Sequence, residues 1–391
     1  MEGKYVFEGK LKQISLVLIA VGVVALAVSF GLNSYVGWVD YLVFSLYFTT
    51  VAVSSLFLLS LSGVVQASWL TPYKRVPEAM SAFLPVAMVL MIASCAGLHS
   101  VYEWTHKEVV ANDPILSAKV AWLNEPRFII TMILIFAIWN FIGYRHRKVS
   151  EQMDSANGKS IAEKHLGFSA ISIILFALTI CIAAFDWIMS VEPHWFSTIF
   201  GVYIFAGSFV SGIAFITLAV ITLKENGYFK NSVNENHYHD LGKWMFGFSV
   251  FWAYIWISQY LLIWYANIPE ETEYYVLRHH HWNGLFFFNL FINFAVPFFG
   301  LMTRKAKRSP AVLKTIASII LLGHFLDLYL MVAPKVFHHH NLHISGYGVV
   351  QIAQLVGGFG LFIFVVGRAL SKRKLEVEND PTFAEGTHLH Q

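Results

Sequence analysis

Ten apolar runs of membrane length, separated by short connections, constrain this chain more than any other feature. They read as 11–31, 40–66, 78–102, 125–144, 166–190, 197–223, 241–266, 283–303, 311–333 and 346–369. A bilayer core takes about 20 helical residues to cross. Inside it every backbone N–H and C=O must be bonded within its own segment, which selects helices. Charged residues make up only 13% of the chain and hydrophobic ones 57%, against roughly 25% charged in soluble domains. The expected fold is all-α and polytopic, with about ten transmembrane helices and no stretch left for a soluble domain. Leu11–Phe30 is too long for a signal peptide and lacks a small-residue cleavage pattern, so it reads as a retained span.

The bases set the orientation. Lys10 and Lys12 precede the first span, and Lys74, Arg75, Arg145, Arg147, Lys148, Lys224, Lys230, Arg304, Lys305, Lys307 and Arg308 fall in every second connection. Arg368, Lys372, Arg373 and Lys374 follow the tenth span. Basic connections stay cytoplasmic, so both termini are expected there. The opposite connections are rich in Trp, Tyr, His, Pro and acids, which suits an outer headgroup layer. The tail 376–391 is polar and short, and reads as flexible or partner-bound.

A repeat runs through the middle eight spans. Tyr47 matches Tyr203 at an offset of 156, and Asn124 and Arg145 match Asn283 and Arg304 at 159. Leu98–Trp104 aligns with Ser258–Trp264 at 160. Asp186 precedes Pro193 by seven positions, as Asp327 precedes Pro334, at a shorter offset of 141. Common order with loop-length variation is the mark of a duplication. The expected organisation is a peripheral helix (1–39), a first four-helix bundle (40–194), a second (195–335), and a peripheral helix with tail (336–391). An even number of spans separates the copies, so they would run parallel.

Ionisable groups in hydrocarbon are costly and are functional candidates by default. His99, Tyr102, Glu103 and His106 are spaced to share one stripe if the third span stays helical through them. His324 and Asp327, three apart, share a face of the ninth span, and Asp186 closes the fifth. Arg127, Tyr47, Tyr203 and Gln259 lie at similar depth on the outer side; Asp40 and His106 read as nearer the surface. Such groups suit a quinone-head pocket, with His or Tyr bonding a quinol oxygen and Asp or Glu taking its proton. They equally suit a proton relay, or ties that hold helix ends together. Serines and asparagines of the inner half read as interhelical bridges.

Metal readings are weak. His279–His281 and His338–His340 with His343 read as loop runs, and consecutive histidines do not converge on one ion as spaced ligands do. Intramembrane histidines, chiefly His99 and His324, read as confined to one side, against the facing pairs a haem b would need. Cys95 and Cys181 form no Cys-x-x-Cys and read as core residues.

Ala183–Tyr203, Gln259–Glu271, His239–Lys243 and Leu98–His106 resemble the ActF-type membrane subunit of bacterial alternative complex III, in the superfamily of NrfD and polysulfide-reductase membrane subunits. The similarity runs from about Asp40 to Tyr329. It implies a multi-pass subunit of a quinol:cytochrome c oxidoreductase in the bacterial inner membrane, in a respiratory electron-transport chain. It implies no redox centre in this chain, quinone or quinol as the ligand of the complex, and haem c and iron–sulfur clusters in partner subunits. The partners implied are an ActC-like membrane paralogue, an iron–sulfur subunit, multi-haem and mono-haem cytochrome c subunits, a terminal oxidase and lipid; nucleic acid is not among them. Carried onto this chain, the chemistry falls to His99, Glu103, Asp186, His324 and Asp327, with Tyr47, Tyr102, Arg127, Tyr203 and Gln259 as ligand-binding candidates. An assembly scaffold, the quinol-binding ActC-like paralogue and a standalone ion transporter remain as alternatives.

Overall fold

The structure, a computed structural model, describes residues 5–154, 158–342 and 348–389. Among them are ten helices long and apolar enough to cross a membrane: α1 Lys10–Leu32, α2 Ser34–Val65, α3 Arg75–Val101, α4 Glu125–Met153, α5 Gly158–Val191, α6 Phe200–Glu225, α7 Glu235–Ala266, α8 Asn283–Gly300, α9 Pro310–His339 and α10 Gly348–Leu370. Each expected run corresponds to one of them, and no β-strand occurs among the described residues.

Asparagines punctuate the chain. Asn33 lies extended between α1 and α2, its side chain accepting the N–H of Tyr35 at 2.8 Å. Asn124 does the same for Arg127 at 2.9 Å, with Pro126 in the first helical turn, and Asn234 begins α7 with a capping box. Each supplies an acceptor to N–H groups that have no partner inside the helix. Gln66 and Asn267 end α2 and α7 in the left-handed region, both at φ 49°, where a helix stops without losing its last carbonyl bonds.

Packing forms two rings. α2, α3, α4 and α5 close on one another in that order, and α6, α7, α8 and α9 close in the same order. The rings meet where α2 touches α6 and α9 and where α5 touches α6. α2 and α6 are thus the centre and are buried on nearly all sides, as helices apolar all round must be. Small residues make this possible: a Cβ on Gly212 would fall on the Ser54 side chain, and one on Gly63 on Ser169. α1 and α10 pack chiefly against each other outside the rings. A Cβ on Gly357 would sit 2.2 Å from Gly22 Cα, a backbone-to-backbone approach of the kind small residues allow in membranes.

Tyr5 beside Tyr228, the segment 373–389 and the connections after α2, α4, α6 and α8 gather at one end of the bundle, here the basic end. The other is the aromatic end. The tail, expected to be flexible or partner-bound, is instead strapped across the basic end of its own chain. Arg373 pairs with Glu151 at 2.8 Å and donates to Arg147 O at 2.8 Å. Val377 is fully buried with Val149 and Met153. Asp380 pairs with Lys74 at 3.1 Å, Thr382 bonds Thr71 at 2.7 Å, and Glu385 accepts from Ser68 at 3.1 Å. The amides of Asn234 and Asn236 donate to Leu389 O at 3.2 and 2.7 Å. Ser232 donates to Glu376. Polar tail residues find enough fixed partners at the connections after α2, α4 and α6 to overcome the entropy of ordering them.

Other expectations are corrected. Asp40 is not near the surface: it is 1% exposed, wedged between α1, α2 and α10. Ser29 donates to it, and the Gln351 and Gln354 amides reach it at 2.9 and 3.4 Å. Neutral donors in that number offset part of the cost of a buried acid. The histidine runs are not loops. His279–His281 form the last turn of a short helix, Pro269–His281, and His338 and His339 are the last turn of α9. His343 lies outside the described residues. Among the described residues no group of three or more His, Cys, Asp or Glu is placed to hold a metal.

Candidate functional site

Asp327 sits in the middle of α9, 5% exposed, and three neighbouring helices each give it a donor. Tyr203 Oη of α6 donates to Oδ1 at 2.6 Å, Asn289 Nδ2 of α8 donates to the same oxygen at 2.7 Å, and Trp252 Nε1 of α7 donates to Oδ2 at 3.0 Å. Asn293 donates to Asn289 Oδ1 at 2.7 Å, one turn further along. α8 winds as a π turn over Phe291–Ala295, and such turns are frequent at functional sites. Gly323 is needed here, because a Cβ on it would fall 2.2 Å from Asn293 Oδ1.

His324 lies one turn before Asp327, its Nδ1 3.8 Å from Asp327 Oδ2. It is 3% exposed, and neither ring nitrogen has a hydrogen-bond partner among the described residues. Ser208 Oγ, across from it on α6, is likewise unpartnered. A cavity of about 10 Å³ is lined by both, with Tyr47, Thr50, Ser211 and Asp327. A second of about 20 Å³ lies on the aromatic-end side of Asp327, lined by Tyr203, Asn289, Gln259, Tyr275 and Arg278. Each has room for about one water molecule, and polar linings of this kind hold water. Gln259 donates to Tyr275 Oη at 3.1 Å and accepts from Ser197 at 3.1 Å, continuing the polar line outward.

Asp186 is a separate site with different chemistry. Arg127 Nη1 donates to its Oδ1 at 2.7 Å and Trp122 Nε1 to the same oxygen at 3.0 Å, while Oδ2 has no partner among the described residues. The guanidinium also lies 3.6 Å over the Trp122 ring. Tyr102 donates to Trp187 O at 2.7 Å, pinning the next residue. The repeated figure is thus not repeated in structure. α5 breaks up just past Asp186, whereas α9 continues through Pro334 to His339. Tyr203 bonds Asp327, but its match Tyr47 crosses to Leu321 O of α9 at 2.7 Å and leaves Asp186 alone.

The expected stripe on α3 does not form. α3 ends at Val101, and Tyr102 is extended at φ −110°, ψ 111°. His99 is 64% exposed at its side chain, with Nε2 3.7 Å from Glu125 Oε1. Its Nδ1 is 3.0 Å from Thr105 Oγ1, and His106 Nε2 approaches His99 O at 2.9 Å. Glu103 is 3.7 Å from Lys335 Nζ. The ten site residues therefore divide three ways. Asp327, His324, Tyr203, Tyr47 and Gln259 gather in one place, Asp186, Arg127 and Tyr102 in another, and His99 and Glu103 lie at the aromatic rim.

Two groups escaped sequence reasoning. Arg278, on the short outer helix, is 1% exposed and pairs with Glu192 at 2.7 Å. It stacks 3.3 Å over Tyr274 and gives Nε to Leu330 O at 2.9 Å and Nη2 to Met331 O at 3.1 Å. Leu330 O is the carbonyl that Pro334, having no N–H, cannot bond. A proline deep in a 30-residue helical run was the available signal that a donor must come from elsewhere. Burial opposes Arg278's charge, but Glu192 and Tyr274 more than offset it and hold its pKa above the ordinary arginine value. The second group corrects the confinement of histidines to one side. His146 and His165 touch at 3.0 Å toward the basic end, and Ser60 Oγ lies 3.1 Å from His146 Nε2.

Comparison with known proteins returns no relative: no family model matches the chain, and no curated protein does.

Proposed function

We propose that this chain is an ActF-type integral subunit of a quinol:cytochrome c oxidoreductase, and that its own chemical task is to move protons at Asp327. The observation that carries this is a buried carboxyl with a water-sized cavity on each side and an unpartnered imidazole beside it. Tyr203, Asn289 and Trp252 fix the carboxyl while leaving lone pairs open to a proton. His324, 3.8 Å away, is too far for a direct bond and within reach through one water. The outer cavity, Gln259 and Tyr275 then link Asp327 toward the aromatic end, which the positive-inside rule makes the outer face. Carboxylates and imidazoles arranged in series are the usual parts of a relay.

The same volumes argue against a quinol head at this place. Ligand pockets run from about 300 Å³ upward, and those at Asp327 are an order of magnitude smaller. In this reading quinol is oxidised against a partner membrane subunit. Electrons pass through iron–sulfur and haem c subunits to a terminal oxidase, and this chain handles protons. The two rings that close in the same order support a duplicated ancestry. The scaffold reading is favoured at Asp186 alone, where Arg127 and Trp122 hold the acid as a clamp.

The test is Asp327→Asn in the assembled complex, reconstituted in liposomes, with proton release counted per quinol oxidised. The expected result is an intact complex with lowered proton stoichiometry or turnover, and a smaller effect for Asp186→Asn. Normal values for Asp327→Asn would leave the scaffold reading in place. Purification of the chain without haem or iron–sulfur subunits, as an active ion carrier, would remove it from any such complex.

A further inference from the structure

A space far larger than the cavities at Asp327 lies beside Asp186. A groove of about 430 Å³ is formed by Trp122, Leu123, Phe185, Met189, Pro193 and Phe196, with Lys119 and Ser190 as polar members. Phe196 is 60% and Trp122 49% exposed, so the groove opens sideways from the protein. Its depth follows from its walls. Phe185 and Met189 belong to the last turns of α5, and Lys119 and Trp122 to the connection just before α4. The lower part therefore faces acyl chains and the upper rim the headgroup layer.

The chemistry is graded in the same direction. Aromatic and aliphatic side chains line the groove, and Lys119 is its single cation among the described residues. One ammonium N–H goes to Pro193 O at 2.6 Å, which leaves two donors of three. Burial pushes the Lys119 ammonium below its ordinary pKa, opposed by Asp113. Asp113 is itself engaged at 2.5 Å by His194. The neighbouring Arg127 is already spent on Asp186. A cation at the rim of an apolar slot of this volume complements a phosphate with a hydrocarbon chain attached, since basic pockets at membrane depth bind lipid headgroups.

We infer that this groove is a phospholipid site, with the lipid phosphate on Lys119 and one acyl chain lying against Phe185, Met189 and Phe196. The occupied groove covers Trp122, which donates to Asp186 Oδ1, and Ser190, which donates to the Asp186 backbone carbonyl, and so keeps water from the Asp186–Arg127 pair. The inference needs only the membrane setting, so it stands apart from the proton reading.

Native mass spectrometry of the purified protein, titrated with phosphatidylglycerol and with diacylglycerol, tests it. Wild type is expected to retain the phosphate-bearing lipid preferentially. Lys119→Gln should weaken that retention about tenfold, the worth of one charge-assisted contact, and Lys119→Arg should keep it. A second readout is thermal stability in detergent, which added phosphatidylglycerol should raise in wild type and Lys119→Arg but not in Lys119→Gln. Equal retention of the two lipids, or an unchanged preference in Lys119→Gln, would overturn the assignment. Displacement of the lipid by a short-chain quinone with equal potency in wild type and Lys119→Gln would reassign the groove to a quinone.

Discussion

Arg278→Met is the perturbation with the most clearly defined cost. The guanidinium is almost fully buried and makes four hydrogen bonds, to Glu192 Oε1, Tyr274 O, Leu330 O and Met331 O. Methionine fills most of the volume and supplies no donor, so Glu192, 7% exposed, becomes a buried charge without a partner. Breaking such a pair from one side costs about 3–5 kcal/mol. Removing the second charge as well, in Arg278→Met with Glu192→Met, should recover much of it, because replacing both ions with apolar groups is often near neutral. The Leu330 carbonyl would still be orphaned, leaving a residual cost of about 1–3 kcal/mol. Pro334→Ala addresses that residue separately, since it returns an N–H to the carbonyl four positions back. In a Pro334→Ala background the penalty of Arg278→Met should fall by about 1 kcal/mol. Equilibrium unfolding in mixed detergent, with all combinations measured, separates these terms as interaction energies. A single Arg278→Met that costs under about 0.5 kcal/mol, the size of an ordinary surface substitution, would refute the reasoning. So would strict additivity with both Glu192→Met and Pro334→Ala.

Other outcomes follow from the basic end and the helix pair outside the rings. Burial works against the Asp380 carboxylate, but Lys74 and the Thr382 N–H and hydroxyl outweigh it and hold its pKa below the ordinary value of 3.8. Its contribution is therefore present above the unfolded pKa and disappears as pH falls through the lower folded value. The strap should hold at neutral pH and loosen below about pH 4, seen as faster amide exchange in residues 68–74, and Asp380→Asn should show that faster exchange at pH 7. Gly386→Val should free the strap at every pH, because a Cβ there would lie 2.3 Å from Ser68 O; unchanged exchange in that variant would refute the docking. Gly357→Leu should prise α10 from α1 at a cost of about 1–3 kcal/mol, the usual range for overpacking, while the two rings stay folded. Intact proteolytic protection of α1 and α10 in that variant would count against the close contact.

The spans were legible because a bilayer leaves the backbone so few choices: an apolar run of the right length has to be a helix. Interactions across the bundle were not, since they depend on which residues face each other after packing. His324 and Asp327 shared a face by spacing alone, and they do meet. Asn289 and Trp252 joined them only because α7 and α8 close the ring against α9. The stripe from His99 to His106 failed where periodicity was extended past the end of α3, into a segment whose extended Tyr102 breaks it. The Asp–Pro figure misled in another way. Arg278 serves the carbonyl that Pro334 leaves free, so α9 runs on, whereas the α-helix carrying Asp186 has already stopped at Trp187, six residues before Pro193. Asp40 read as superficial because its depth was counted along α2, without the cover supplied by α1 and α10.

The strap at the basic end has a consequence for how the molecule is made. Residues 373–389 touch the connections after α2, α4 and α6, and they follow all ten spans in the order of synthesis. No earlier moment in synthesis can make those contacts, so the helices insert in sequence with their basic ends untied and are fastened together only once this segment has been made. A chain cut short before Arg373 would hold all ten spans and lack the segment that ties their basic ends together. Quality control in the membrane could read that difference directly, as exposed connections at the ends of α2, α4 and α6.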